Sequence, residues 1–291
     1  MSKNVMSTVN FVPANLSIKT MSGTADFYGY ASNKQFLTIH DAREKKDDFT
    51  LSKNGFQYIT HTSAYIPILD TTKIKSDLYT EKAELLMNSL TPRPSYVKVA
   101  SNTIRSSLTD LNSEYTGTPG PARTAHLDHT SSGAKNYLYE KLPHEDASRL
   151  SQTRWAIINV WRPLKTIKRD PLAVCDGSTL RPGDLLPIRM DYSNNARAKA
   201  LGGEKGLKTT VSWEIAMATY NTNQKWYYLS EMGVEEALLM RIYDSDLVGG
   251  LDEGRVAVHA SFEDPSTKDE EARESIEFRC LVFWEDQPLK A

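Results

Sequence analysis

The chain has 291 residues, of which 40% are hydrophobic and 25% charged, with a formal net charge of −2. That composition is ordinary for a globular protein, and its near-neutral balance excludes the basic field that nucleic acid or an anionic membrane requires. No apolar run approaches the ~18 residues of a bilayer-spanning helix, and residues 1–13 lack the apolar stretch of a signal peptide. The two cysteines, Cys175 and Cys280, sit in apolar, strand-like runs and make no disulfide framework, so a reducing, cytoplasmic setting is predicted.

Residues 1–50 read as irregular with short strands, 36–40 being the clearest, and 49–62 as a strand broken at Gly55-Phe56. Over 72–90 the apolar residues Leu78, Ala83, Leu85, Leu86 and Leu90 recur at helical spacing, and Pro92 and Pro94 close the helix. A strand from Tyr96 to Ile104 follows, then a loop over 109–122 rich in Gly, Pro, Ser and Thr. Beyond it come short alternating or β-branched runs at 125–128, 155–163, 172–175, 211–219, 226–229, 238–243, 255–262 and 275–284. Turn residues separate them, the pattern of an all-β sandwich or barrel. One helix interrupts this series after Pro143, reaching about Gln152. The polar stretches 110–123 and 194–208, the latter including the basic segment 199–208, read either as loops covering a substrate or as plain solvated surface. The expected organisation is one domain over 1–291: an N-terminal α/β flank to residue 95 and a β core from 96 to 285 with loop insertions.

The six histidines include two in His-x-Asp pairs, His126/Asp128 and His144/Asp146. The second pair opens a charged segment after Pro143, where carboxylates suit a helix N-terminus and solvent. The first lies on an extended stretch, where a period of two puts His126 and Asp128 on one face and Leu127 on the other. His129 then points away from that pair. A third ligand is available on another strand at His259, flanked on its own face by the small residues Ala257 and Ser261. Two neutral imidazoles and one carboxylate on one side of an ion leave three positions open, the arrangement that suits non-haem Fe(II) and O2.

Arg273-Glu274-Ser275 follows fourteen residues after His259. A guanidinium forks onto a carboxylate with two parallel hydrogen bonds, and a hydroxyl two residues on adds a third, a grip suited to a dicarboxylate. Arg273 has a plainer alternative in the acids around it, Asp269, Glu270, Glu271 and Glu274. Arg279 shares strand parity with Arg273 and is an alternative carboxylate partner. Asn159 and Arg162, in the run Asn-Val-Trp-Arg-Pro, are candidate pocket residues, although Asn159 and Trp161 share one face and Arg162 the other.

The order His-x-Asp, distal His, Arg-x-Ser resembles that of the double-stranded β-helix oxygenases. More closely, the chain resembles the fungal and bacterial hydroxylase/desaturase group that includes cephamycin 7α-methoxylation proteins, gibberellin desaturases and aspergillic-acid-type hydroxylases. The resemblance is carried by Thr124-Ala-His126-Leu-Asp128-His-Thr130, Asn159-Val-Trp-Arg-Pro-Leu164, Pro171-Leu-Ala-Val-Cys-Asp176, Trp226-Tyr-Tyr-Leu229, Tyr243-Asp-Ser245, His259-Ala-Ser-Phe262 and Arg273-Glu-Ser-Ile-Glu-Phe-Arg279. With Phe49-Thr-Leu-Ser-Lys-Asn-Gly-Phe56 it extends over about residues 49–285. It implies a mainly β, cupin-like jelly roll with flanking helices. It also implies Fe(II) on His126, Asp128 and His259, 2-oxoglutarate anchored by Arg273 with help from Ser275, and O2 as oxidant. The implied substrate is a small molecule of secondary metabolism, to be hydroxylated, desaturated or cyclised. A monomer or homodimer without nucleic-acid or membrane partners is expected. The rival reading keeps the metal-binding jelly roll but makes it an isomerase or hydrolase without 2-oxoglutarate, zinc accepting the same ligand set.

Overall fold

The apolar run at 155–163 becomes a strand buried on both faces, and this sets the layer order of the molecule. The computed structural model describes residues 3–16, 20–22, 32–66, 73–108, 118–191, 213–247 and 255–289. Its strands in chain order are β1 Val5–Phe11, β2 Thr20–Ser22, β3 Asn33–Asp41, β4 Phe56–Thr60, β5 Tyr96–Ser106, β6 His126–Leu127 and β7 Thr153–Pro163. The series continues with β8 Leu172–Cys175, β9 Leu185–Asp191, β10 Trp213–Ala218, β11 Trp226–Tyr228, β12 Glu236–Asp244, β13 His259–Ser261 and β14 Glu274–Pro288. They form a nine-stranded sheet in the order β1-β3-β11-β8-β13-β6-β10-β9-β2 and a five-stranded sheet in the order β4-β12-β7-β14-β5.

Between the sheets lies the main apolar core, to which β7 gives Trp155, Ile157 and Trp161, and β14 gives Leu281 and Phe283. The opposite face of the same strands gives Ile158, Val160, Ile276, Phe278 and Cys280 to a second core. The helix Tyr79–Ser89 covers that core with Leu85 and Leu86. Because strand side chains alternate, slipping β14 by one residue would turn Phe278 and Cys280 into the space between the sheets. It would also turn Arg273, Ser275 and Arg279 out of it. Each large apolar side chain removed from water is worth ~1.5–3 kcal/mol, so this register is strongly specified.

Several expectations shift in detail. Residues 51–54 are a helical turn rather than strand: Thr50 accepts from the Lys53 amide, and Gly55 closes the turn at φ 81° before β4 begins. The helix expected over 72–90 comprises a π-turn, Ile74–Leu78, and an α-helix, Tyr79–Ser89; Thr72 lies outside the described residues. The strand expected over 255–262 is confined to β13, and the helix after Pro143 spans His144–Leu150. The N-terminal stretch expected as a flank is woven into both sheets through β1, β3 and β4. The candidate covering loop at 194–208, and residues 109–117 of the other, lie outside the described residues.

One helix absent from the sequence reading, Ser131–Lys141, starts directly after Asp128. Thr130 caps it by accepting from the Gly133 amide and donates to the Glu214 carboxylate on β10. Gly133 is required here, because a Cβ would meet the Glu214 carbonyl oxygen at 2.0 Å. The His-x-Asp segment is thus followed by a helix held hard against β10. Cys175 and Cys280 are both free and buried.

Candidate metal centre

His126 and His259 are brought together by backbone pairing. β6 runs between β13 and β10, and in this register His126 stands opposite His259. The two rings lie with centroids 4.4 Å apart. Asp128 follows on the bend after β6, with Oδ1 3.6 Å from His126 Nε2. One ligand atom from each of His126, Asp128 and His259 lies within 4.8 Å of the others.

The backbone also sets which imidazole nitrogens face the site. His126 Nδ1 is 2.8 Å from the Thr124 carbonyl oxygen and His259 Nδ1 is 3.0 Å from that of Ala257. A carbonyl only accepts, so each Nδ1 carries the proton and each Nε2 presents its lone pair. Burial, and for His126 the neighbouring His259, disfavour protonation: His126 is lowered to about 4, and His259 is lowered too. Both rings are neutral at physiological pH, as metal ligands must be.

Asp128 is held by the opposite sheet. Its Oδ2 accepts from Asn159 Nδ2 on β7 at 2.6 Å and from Arg279 Nη2 on β14 at 2.8 Å, and those two residues are themselves a cross-strand pair. Although burial opposes ionisation, Arg279 and the two imidazoles hold the carboxyl far below the ordinary carboxylate range. Arg279 is therefore committed to Asp128, not placed beside Arg273 as the alternative carboxylate grip.

Arg273 is 1% exposed, and its surroundings are unusual for so buried a cation. Nη1 donates to the Asp170 carbonyl at 2.8 Å and to Ser261 Oγ at 3.1 Å, and the guanidinium sits 5.9 Å from the Trp161 ring centroid. Among the described residues no carboxylate lies within ion-pair distance of it. The acids expected to pair with it are used elsewhere or turned away; Lys165 takes Glu271 and Glu274. Its Nε and the Ser275 hydroxyl are both buried without a hydrogen-bond partner. Burial and the nearby Arg105 lower Arg273 to about 9. A buried cation without a carboxylate partner thus lies two residues from a buried hydroxyl without a hydrogen-bond partner, an arrangement uncommon in protein interiors.

Arg162 lies on the other face of β7. It is fully buried, with Nη1 3.1 Å from His61 Nδ1, Nη2 bonded to the carbonyls of His61 and Val234, and Glu81 at 3.8 Å. It ties the helix side of the sheet and is not a pocket residue. The alternation had put Arg162 opposite Asn159, and Asn159 is the one that reaches the site. His144 is exposed at its helix N-terminus, and His129 is buried beside Tyr137, outside the ligand cluster.

A family model described as an oxidoreductase/YMDC permease-like domain matches residues 10–283. The hydroxylase/desaturase efuI of Hormonema carpetanum is 36% identical over 88% of this chain and 85% of its own length. The hydroxylase/desaturase asaB of Aspergillus flavus is 30% identical over 99% and 98%. The chain belongs to the hydroxylase/desaturase family of non-haem Fe(II)/2-oxoglutarate-dependent oxygenases. Among solved structures, the iron and alpha-ketoglutarate-dependent endoperoxidase NvfI superposes with a TM-score of 0.77 at 29% identity, covering 97% of this chain and 98% of that one. The fold is accordingly the jelly roll, and the protein is a dioxygenase using Fe(II), 2-oxoglutarate and O2 on small molecules of natural-product biosynthesis. Among the described residues of this dioxygenase no helix is long and apolar enough to cross a membrane.

Two charged residues of the site escaped the sequence reading. Glu277 shares parity with Ser275 and Arg279, is pushed up to about 7 chiefly by burial and Asp128, and lies 3.6 Å from Arg279. Arg105 stands on β5, across from Ser275. Parity along β14 carried a signal for Glu277; for Arg105 the pairing of β5 with β14 was needed.

The depressed histidines make a stability prediction for the metal-free dioxygenase. His126 is lowered to about 4 and His129 to about 3, burial being the main cause in both. Their unfolded counterparts titrate near 6.5, so as pH falls below that value the unfolded chain takes up protons that the folded chain refuses. The contribution of these rings is full above about pH 6.5 and declines toward pH 4, by up to about 1.4 kcal/mol per pH unit for each; Glu277, raised to about 7, takes up its proton in the folded chain over the same range and offsets part, but not all, of the loss from the two rings. Urea denaturation of the chelator-treated protein at pH 8 and pH 5 should show the midpoint falling at pH 5; an unchanged or higher midpoint contradicts the assignment of these rings as buried and neutral.

Proposed function

We propose that His126, Asp128 and His259 hold Fe(II) through the two Nε2 atoms and Asp128 Oδ1, and that Arg273 and Ser275 anchor the distal carboxylate of 2-oxoglutarate. The observation that carries this reading is the pairing of two features on facing sheets. One is a cluster of two neutral imidazoles and one carboxylate; the other is a buried guanidinium whose Nε is unpartnered, beside a buried hydroxyl that is unpartnered too. An isomerase or hydrolase has no evident use for the second feature.

With 2-oxoglutarate and O2, iron on such a triad supplies an oxidant able to remove a hydrogen atom from unactivated carbon. The protein's share is position and exclusion of water. The Thr124 and Ala257 carbonyls orient the imidazoles. Asn159 and Arg279 fix Asp128 so that one oxygen faces the metal position. Arg273 and Ser275 set the far end of the co-substrate, which determines where its chelating end arrives. Trp161 lines the guanidinium and keeps that end dry. The substrate is a natural-product intermediate undergoing hydroxylation, desaturation or ring formation, as the relatives' names describe for hydroxylases, desaturases and an endoperoxidase. We read the 1–291 chain as one catalytic domain, acting in the cytoplasm as a monomer or homodimer without nucleic acid or membrane.

Anaerobic titration tests this directly. Fe(II) followed by 2-oxoglutarate should produce a visible charge-transfer band, and admission of O2 should yield succinate. Arg273→Ala should raise the 2-oxoglutarate concentration needed by roughly 10- to 100-fold, the worth of lost hydrogen bonds to a charged group, while iron content stays level. No band with the parent protein, or an unchanged requirement in the variant, sinks the assignment.

A further inference from the structure

The face of the large sheet that carries His126 and His259 continues beyond them. Directly opposed residues on paired strands share a face. The register links Met217 to His126, His126 to His259, His259 to Val174 and Val174 to Tyr227. The Tyr227 ring lies 4.7 Å from that of Phe49 and 6.5 Å from that of Phe56, the first residue of β4 in the five-stranded sheet. The linked face therefore looks into the space between the sheets. On β10 and β9 it carries Met217 beside Leu186 and Ile215 beside Ile188. The other face of these two strands carries Glu214, bonded to Thr130, and the exposed Pro187 and Arg189. Apolar side chains thus point inward and polar ones outward.

These four inward side chains belong to neither sheet core. With Val12 and Leu16 they form a separate apolar cluster, in which Met217 and Ile188 are buried while Leu186 and Ile215 are only half-buried. Interiors are otherwise close-packed, so inward apolar side chains left half-buried border open space. Where that space lies relative to the co-substrate decides its use. The large sheet runs β8-β13-β6-β10-β9. Arg273 reaches Ser261 on β13, so the anchored end of 2-oxoglutarate lies on the β13 side of β6. The apolar patch lies on the β10 side, with the metal position between the two. A carbon brought to the metal from the β10 side carries the rest of its molecule over Leu186 and Ile215. Among the described residues of β9 and β10, no charged side chain shares that face.

We propose that the inner face of β9 and β10 is the substrate subsite, and that it takes the hydrocarbon body of a predominantly apolar intermediate. This rests on the triad and the Arg273 anchor assigned above. The competing role for the patch is structural: Leu186 and Ile215 would only seal β9 and β10 against the segment carrying Val12 and Leu16.

A paramagnetic probe separates the two roles. The protein is loaded with Mn(II), saturated with 2-oxoglutarate without O2, and titrated with straight-chain butanol, hexanol and octanol. Proton relaxation of each alcohol is compared with that in the Zn(II)-loaded protein. Relaxation by Mn(II) falls steeply with distance, so alcohol bound elsewhere on the surface does not register. Affinity should rise about 3- to 4-fold per added methylene. Ile215→Asn should weaken octanol binding roughly 10-fold, whereas Ile215→Leu should keep it. Binding of Mn(II) and 2-oxoglutarate should be unchanged in both variants, which also shows that they are folded; if Ile215→Asn fails that control, Leu186→Asn takes its place. Octanol left unrelaxed in the parent, an affinity independent of chain length, or equal octanol binding in the Asn variant overturns the subsite. Failure of the parent to bind Mn(II), or equal binding after Asp128→Ala, overturns the metal assignment instead, and the subsite falls with it.

Discussion

Asp128→Ala should purify without iron, fail to give a charge-transfer band on addition of Fe(II) and 2-oxoglutarate, and form no succinate. The triad contains one anionic ligand, so removing it leaves two neutral imidazoles to hold a hydrated dication that prefers carboxylate and imidazole together. The same change strands Arg279. With Asp128 gone, a guanidinium only 13% exposed keeps Glu277 at 3.6 Å as its remaining carboxylate. Breaking a buried pair from one side costs on the order of 3–5 kcal/mol, and Glu277 offsets part of that. The variant should therefore melt at a lower temperature than the metal-free parent while keeping its β-sheet circular dichroism. Metal analysis after anaerobic reconstitution, alongside the melt, checks both halves. Stoichiometric iron with normal turnover in Asp128→Ala would place the metal elsewhere.

Much of this site was readable before any coordinates because strand chemistry is periodic. His126 and Asp128 two residues apart, and Arg273, Ser275 and Arg279 on one parity, follow from alternation alone, and each shares the expected face. Alternation says which face a residue takes, not which strand faces it. Arg279 and Arg273 are equivalent by parity; only the pairing of β14 with β7, which sets Arg279 against Asn159 and both against Asp128, separates the arginine bonded to Asp128 from the one proposed to anchor 2-oxoglutarate. The same limit explains Arg105, whose neighbour Ser275 is 170 residues away in the chain. Arg162 was opposed to Asn159 by parity, and the packing of β7 between two cores decides which of them sees the cavity.

Errors in the elements have local causes. Residues 49–56 contain an N-capping Thr50 and a closing Gly55, yet the alternation of Phe49 and Leu51 with polar neighbours, followed by Phe56, makes the run look like a strand. The helix Ser131–Lys141 carries a narrow apolar set, Ala134, Tyr137 and Leu138, on an otherwise polar segment. Its docking depends on a glycine meeting β10, and such a contact leaves no periodic trace. β9 was missed beside a polar stretch, and its partner β10 begins beyond it, so neither strand announces the other.

Arg279→Gln should weaken Fe(II) binding by about 10- to 100-fold, the usual cost of losing the partner that orients a metal ligand, and leave the 2-oxoglutarate affinity of the iron-saturated protein unchanged. Two effects oppose each other in that variant. A cation near the ion position repels Fe(II), so its removal alone would tighten binding. Against this, Arg279 aims Asp128 and keeps it ionised, together with Asn159. The repulsion is small here, because the guanidinium is shared between Asp128 at 2.8 Å and Glu277 at 3.6 Å and is charge-compensated by them. Loss of orientation therefore dominates. The comparison with Arg273→Ala makes the test sharp: one arginine should move metal affinity alone and the other co-substrate affinity alone. Fe(II) titrations by competition with a chromophoric chelator, followed by 2-oxoglutarate titrations at saturating iron, measure the two quantities separately. If Arg279→Gln instead raised the 2-oxoglutarate requirement and left iron affinity untouched, the two arginines would exchange roles and the pocket would have to be redrawn along β14.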